Sequence, residues 1–145
     1  MLFQPKNVNK FNCYSYAVNH RSEWLTIPEA GHFTRKYGST WDFLEDVEGS
    51  INELAKYFVV EEILLNFPEY VIVDKKDIKK GTRLIAFKMA DNDYHFMKRF
   101  PNGHWFHKRG GLPIEPIKTK SALAKEWSHG RYYSKTIFLG YKEDY

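Results

Sequence analysis

Only one cysteine, Cys13, occurs in the 145 residues of this chain. A lone thiol closes no intramolecular disulfide and cannot build a thiolate-only metal site, so a disulfide scaffold and a cysteine-only metal centre are excluded. No apolar run approaches the ~20 residues needed to span a bilayer, which argues against a membrane partner. The start, Met1-Leu2-Phe3-Gln4-Pro5-Lys6-Asn7, lacks the basic-then-apolar pattern of a secretory signal. Internal repeats, low-complexity tracts and Pro/Gly/Ser linkers are also missing. Charge of one sign is scarce: 22 basic residues face 18 acidic ones, a net of +4. That excess permits an anionic partner without requiring one. A cytoplasmic protein is expected, and release by lysis or injection would leave no mark in such a sequence.

What is present suits one globular domain over 1–145. Hydrophobic residues make up 43% and charged residues 28%, an ordinary balance for a packed chain. A chain of this length buries about two-thirds of its unfolded surface. Residues 12–20 read as a short helix with Asn12 as N-cap, and 21–38 as an irregular loop containing Pro28, Gly31 and Gly38. Ser39 or Thr40 could cap a turn over 41–48. Ser50-Ile51-Asn52-Glu53 is a capping-box pattern, and Ile51, Leu54, Ala55 and Phe58 follow at helical spacing as far as Leu65, before Pro68.

The second half reads as strands. Residues 70–73 are β-branched and aromatic, and Thr82–Lys88, Tyr94–Phe100 and His104–His107 follow in close order. Asp91-Asn92-Asp93 and Pro101-Asn102-Gly103 supply turn chemistry between them. Gly110-Gly111-Leu112-Pro113 opens a loop, 120–128 can form a helix, and Lys135–Tyr141 reads as a closing strand. The expected class is α+β, with the cysteine-bearing N-terminal helix packed on an antiparallel sheet.

The second hairpin carries a spatial inference. With its loop centred near Pro101-Asn102, His95 and His107 stand opposite each other, with Cβ atoms ~4.5–5.5 Å apart. His104 lies at an odd offset from His107 and points to the other face. Trp105 is expected in the core. This parity argues against a zinc site built from His95, His104 and His107, and no carboxylate or second cysteine completes a set.

A thiol near a helix start meets unpaired amides that favour thiolate. An imidazole in reach can move the proton, and a third polar group can hold that imidazole in one tautomer. Cys13, His95 and His107 fill these roles in that order. The Cys13 amide could serve as one oxyanion donor, and Asn12 and Tyr14 are the candidate supporting residues beside it.

Asn12-Cys13-Tyr14-x-Tyr16-Ala17, Asp93-Tyr94-His95-Phe96 and Gly103-x-Trp105-x-His107-Lys108 with Gly110-Gly111 and Pro113 resemble compact bacterial and phage members of the papain-like cysteine peptidase superfamily. These are related to NlpC-type and CHAP amidases. Phe106 stands where such relatives carry serine. The resemblance reaches the terminal Phe138-Leu139-Gly140-Tyr141 segment and is thin over 30–75.

The resemblance implies a papain-like fold, Cys13 as nucleophile, His95 as base and His107 as third member. It also implies a peptidase, amidase, deamidase or acyltransferase that works through a thioester and needs no cofactor or metal. The substrate would be a peptide, a protein or a peptidoglycan peptide. Two other readings compete with it. One is an inactive binding or inhibitor protein of the same fold. The other is a small nucleic-acid binder using the basic and aromatic residues from Lys98 to Arg109, a pattern more often found as a solvated face with aromatics turned inward.

Overall fold

In the computed structural model, residues 4–25, 51–89, 94–119 and 134–145 are described. Six strands form one antiparallel sheet: β1 (Tyr70–Val73), β2 (Leu84–Met89), β3 (Tyr94–Arg99), β4 (Trp105–Lys108), β5 (Ile114–Ile117) and β6 (Ile137–Tyr141). Their order is β1-β6-β2-β3-β4-β5, so β6 inserts between β1 and β2. Among the described residues, two α-helical segments and a 3-10 turn (Val8–Lys10) lie before the sheet in the chain. Helix α1 is Cys13–Ala17. Helix α2 consists of Ile51–Glu53, a π-helical stretch Leu54–Val60 and Glu61–Asn66. The α+β class is thus observed, and no helix among the described residues is long and apolar enough to cross a membrane.

Alternation along the strands divides the sheet into two faces. Ile85, Phe87 and Met89 of β2, Phe96 of β3 and Leu139 of β6 project to one face, where they join a buried cluster with Tyr14, Ala17, Ala55, Val59 and Ile63. Both helices therefore pack on this side. In α2, the buried Ala55, Val59 and Ile63 recur every fourth residue, giving the helix a continuous apolar stripe. The Phe67 amide donates back to Ile63 O as a closing cap, and Pro68 prevents continuation.

Several expectations change at their edges. The first helix is five residues long and not nine, because Val18 leaves helical geometry and Asn19 takes a positive φ of 61°. The loop after Gly110 contains β5, which the sequence hides behind Pro113 and Pro116. Proline removes a ladder donor, yet an edge strand tolerates it. Trp105 is half-buried and does not belong to the core. The loop over 26–38, the turn over 41–48, the Ser50 cap, the Asp91–Asp93 turn and the helix over 120–128 lie outside the described residues.

The β3–β4 turn corrects the histidine register. Gly103 N donates to Phe100 O (2.9 Å) and Phe100 N to His104 O (3.0 Å), which leaves a three-residue loop of Pro101, Asn102 and Gly103. Gly103 sits at φ +89°, a conformation glycine adopts without a Cβ clash. The loop is thus centred one position later than expected, and Met97 stands opposite His107. His95 becomes a diagonal neighbour. Because the displacement is two residues, both histidines keep the same face.

Lys98 is buried on the helix-covered face. Its Nζ donates to Tyr16 O and Asn19 Oδ1 and lies 4.7 Å from the Tyr16 ring centroid. Burial, with Arg21 and Arg83 adding like charge, pulls its ammonium down to about 8 from the ordinary lysine value. The folded chain sheds this proton near pH 8, whereas the unfolded chain holds it until about 10.5, so stability rises with pH across that window. Urea unfolding of wild type and Lys98→Met between pH 7.5 and 10 checks this. The stability difference should move in favour of wild type by about 2 kcal/mol; a difference independent of pH contradicts it.

Candidate active site

Asn12 fixes where the helix that carries Cys13 begins. Its Oδ1 accepts from Ser15 N (3.0 Å), and its own amide donates to Ser15 Oγ (3.4 Å), a capping box made with serine at the third helical position. The Ser15 hydroxyl lies 2.7 Å from Asn12 Oδ1 and 2.8 Å from Glu23 O, and accepts from Leu25 N (3.0 Å). Asn12 Nδ2 donates to Leu25 O and to Tyr94 Oη (3.2 Å), while Tyr94 Oη donates to Leu25 O (3.1 Å). Both ends of the Asn12 amide are thus committed to holding the chain. Asn12 serves as a cap, and its side chain is committed to Ser15, Leu25 and Tyr94.

Cys13 follows at the first helical position and is buried, with 6% of its surface exposed. Tyr14 is also buried. Its ring stacks on Phe96 with centroids 4.9 Å apart and meets the Phe67 ring edge-on at 5.8 Å. Tyr14 therefore seats α1 on the sheet.

His95 and His107 are brought together. Nε2 of His95 lies 3.1 Å from Nδ1 of His107, with the rings nearly perpendicular at 85° and both residues buried. On the far side of His107, Nε2 lies 3.6 Å from Glu115 Oε2, the residue opposite it on β5. This order selects tautomers. A carboxylate favours the proton on His107 Nε2, so Nδ1 of a neutral His107 accepts. His95 then donates from Nε2, and its lone pair resides on Nδ1. That is the arrangement of a base oriented by a third and a fourth group. Glu115 was missed in the sequence because its strand was read as loop.

Lys108 is the other residue the sequence left out. It alternates away from His107 to the helix-covered face and is fully buried. Its Nζ donates to Phe11 O and Gly110 O and lies 4.6 Å from the Phe11 ring centroid. Burial lowers its ammonium from the ordinary lysine value, and negative charge on Cys13 raises it. The sequence carries no local signal for it, because its partner Phe11 lies 97 residues away in the chain. Phe106, on the same face, packs against the Phe11, Tyr16 and Ile114 cluster, which accounts for an aromatic residue before His107.

These groups gather at one end of the β3–β4 ladder, where β3 begins and β4 finishes. Tyr94, Phe96 and Lys98 touch α1 or its cap, whereas His95 alternates to the reverse side. Cys13 lies with α1 on the helix-covered side, and the imidazole pair lies on the reverse side of the same strand end. His104 is exposed beside the turn, outside β4, and takes no place in the cluster. No protein-family model, curated protein or solved structure matches this chain.

Asn12→Ala removes the cap, takes from the Ser15 amide its acceptor and leaves Leu25 O with only the Tyr94 hydroxyl as donor. Thermal and urea unfolding should show a loss of about 2 kcal/mol. Asn12→Asp retains an Oδ1 acceptor for the Ser15 amide but loses the donors to Leu25 and Tyr94, so it should fall between wild type and Ala.

Proposed function

We propose that this protein is a cysteine-dependent amide hydrolase or acyltransferase of papain-like type. The observation that carries the reading is the oriented imidazole pair, His95 Nε2 to His107 Nδ1 at 3.1 Å, at the same strand end as a capped helix that begins with the chain's one thiol. Cys13 Sγ attacks the carbonyl carbon of an amide. His95 takes the thiol proton at Nδ1 and returns it to the leaving nitrogen as the C–N bond breaks. Water or an amine then resolves the thioester, with His95 moving the proton again. His107 holds the His95 ring through Nε2, and Glu115 favours the tautomer of His107 that accepts. The Cys13 amide is the candidate oxyanion donor. Substrates of this class are peptides, proteins or peptidoglycan peptides.

Two observations favour a second reading, a non-catalytic binding or inhibitor module on the same scaffold: Cys13 is buried, and His95 alternates to the reverse face. In that case Cys13→Ala retains the full biological effect.

Carboxamidomethylation of native Cys13 by iodoacetamide at pH 7, followed by intact mass, tests the enzyme reading. Wild type should label faster than the denatured chain, and His95→Ala should label about tenfold more slowly. Equal rates in wild type and His95→Ala would remove the base assignment.

A further inference from the structure

We propose that Lys108 is the counter-charge of the Cys13 thiolate, a positioning residue that holds the nucleophile ionised before substrate arrives. The proposal rests on the reading of Cys13 as a nucleophile and adds the group that stabilises its charge.

The geometry argues for this role in three steps. First, the ammonium is fully buried and fixed on Phe11 O, two residues before Cys13, so its position is tied to the segment that delivers the thiol. Second, its other contacts are neutral: Gly110 O and the face of the Phe11 ring. Carbonyls and a π face satisfy the donors but do not cancel the charge, and a buried cation without an opposite charge is costly. Third, burial pulls the Lys108 ammonium below the ordinary lysine value, and negative charge on Cys13 acts in the opposite, attractive sense. A lysine ammonium placed beside a thiol lowers the thiol's pKa by stabilising the anion. A helix of five residues offers little dipole of its own, so an ionised Cys13 depends on this neighbour more than on α1.

The same side chain also joins two segments of the site. Through Phe11 O and Gly110 O it ties the approach to Cys13 to the Gly110-Gly111 loop. At that loop a Cβ on Gly110 would come within 3.4 Å of the Trp24 ring, and one on Gly111 within 3.5 Å of Asn9 O. Trp24 is half exposed and Leu112 more so, giving the loop an apolar rim. Loss of Lys108 should therefore alter the thiol's ionisation as well as the seating of this loop. The pH profile isolates the first effect.

The test is the pH dependence of Cys13 alkylation by iodoacetamide in wild type, Lys108→Met and His95→Ala, from pH 4 to 10. The midpoint of the Lys108→Met profile should rise by about one pH unit or more, cutting the thiolate present at pH values below the wild-type midpoint about tenfold. A midpoint that coincides with wild type overturns the proposal. His95→Ala separates the two readings. If its profile is unchanged while that of Lys108→Met rises, the thiolate is held by the lysine and the base assignment falls. If only His95→Ala shifts, the lysine proposal falls.

Should Lys108→Met fail to fold, Cys13→Ser carries the test with selectively ¹³C-labelled lysine. Removal of the thiolate should move the Lys108 titration, followed by NMR, to lower pH. An unchanged Lys108 titration in Cys13→Ser overturns the proposal.

Discussion

A five-residue helix has no stability of its own, since nucleating the first turn costs more than so few hydrogen bonds return. The position of α1, and hence of Cys13, is therefore imposed from outside. Two buried lysines from adjacent strands provide much of that constraint. Lys98 of β3 grips the carbonyl of Tyr16 near the end of α1, and Lys108 of β4 grips the carbonyl of Phe11 just before its start. Between them Tyr14 lies flat on Phe96. The short helix is thus bracketed along its length by the strands beneath it, and the strands fix the thiol to the end of the sheet where the histidines emerge.

The two lysines are not equivalent. Lys98 lies at the carbonyl end of α1, where positive charge is favourable, and it also donates to Asn19 Oδ1, the side chain of the residue that turns the chain away at positive φ. Its position is explained by packing and helix termination. Lys108 lies at the amide end, where a cation gains nothing from the helix. A fully buried ammonium there is costly, and burial holds it below the ordinary lysine value while negative charge on Cys13 acts the other way. Lys98 is thus accounted for by the fold alone, whereas Lys108 carries a burial cost that its carbonyl partners only partly offset.

Much of this arrangement was legible in the sequence. Asn12 as a cap, the antiparallel second half, the Pro101–Gly103 turn and the pairing of His95 with His107 on one face follow from local rules: capping chemistry, turn residues and strand parity. The exact register did not follow, because Pro-Asn-Gly fits a two- or three-residue loop and the difference moves every partner. Strand β5 was hidden by two prolines that matter less on an edge, and with it Glu115. Lys108 was hidden for a different reason. A lysine after a strand histidine is ordinarily a solvated charge, and only the tertiary placement of the Phe11–Asn12 segment over β4 buries it.

The order Glu115, His107, His95 also has a consequence for how the site tolerates water. Glu115 is half exposed while both imidazoles are buried. A carboxylate at the solvent edge keeps its charge at little desolvation cost, and it acts on the interior through His107 and not directly. The buried part of the chain can then remain neutral, with each imidazole serving as donor on one side and acceptor on the other. Placing the acid deeper would require burying a charge, and omitting it would leave the His107 tautomer unspecified. On the opposite face the Lys108 ammonium is buried with carbonyl partners. The two faces of one strand end therefore divide the work. One orders the imidazole pair, and the other ties the segment before Cys13 to the Gly110 loop.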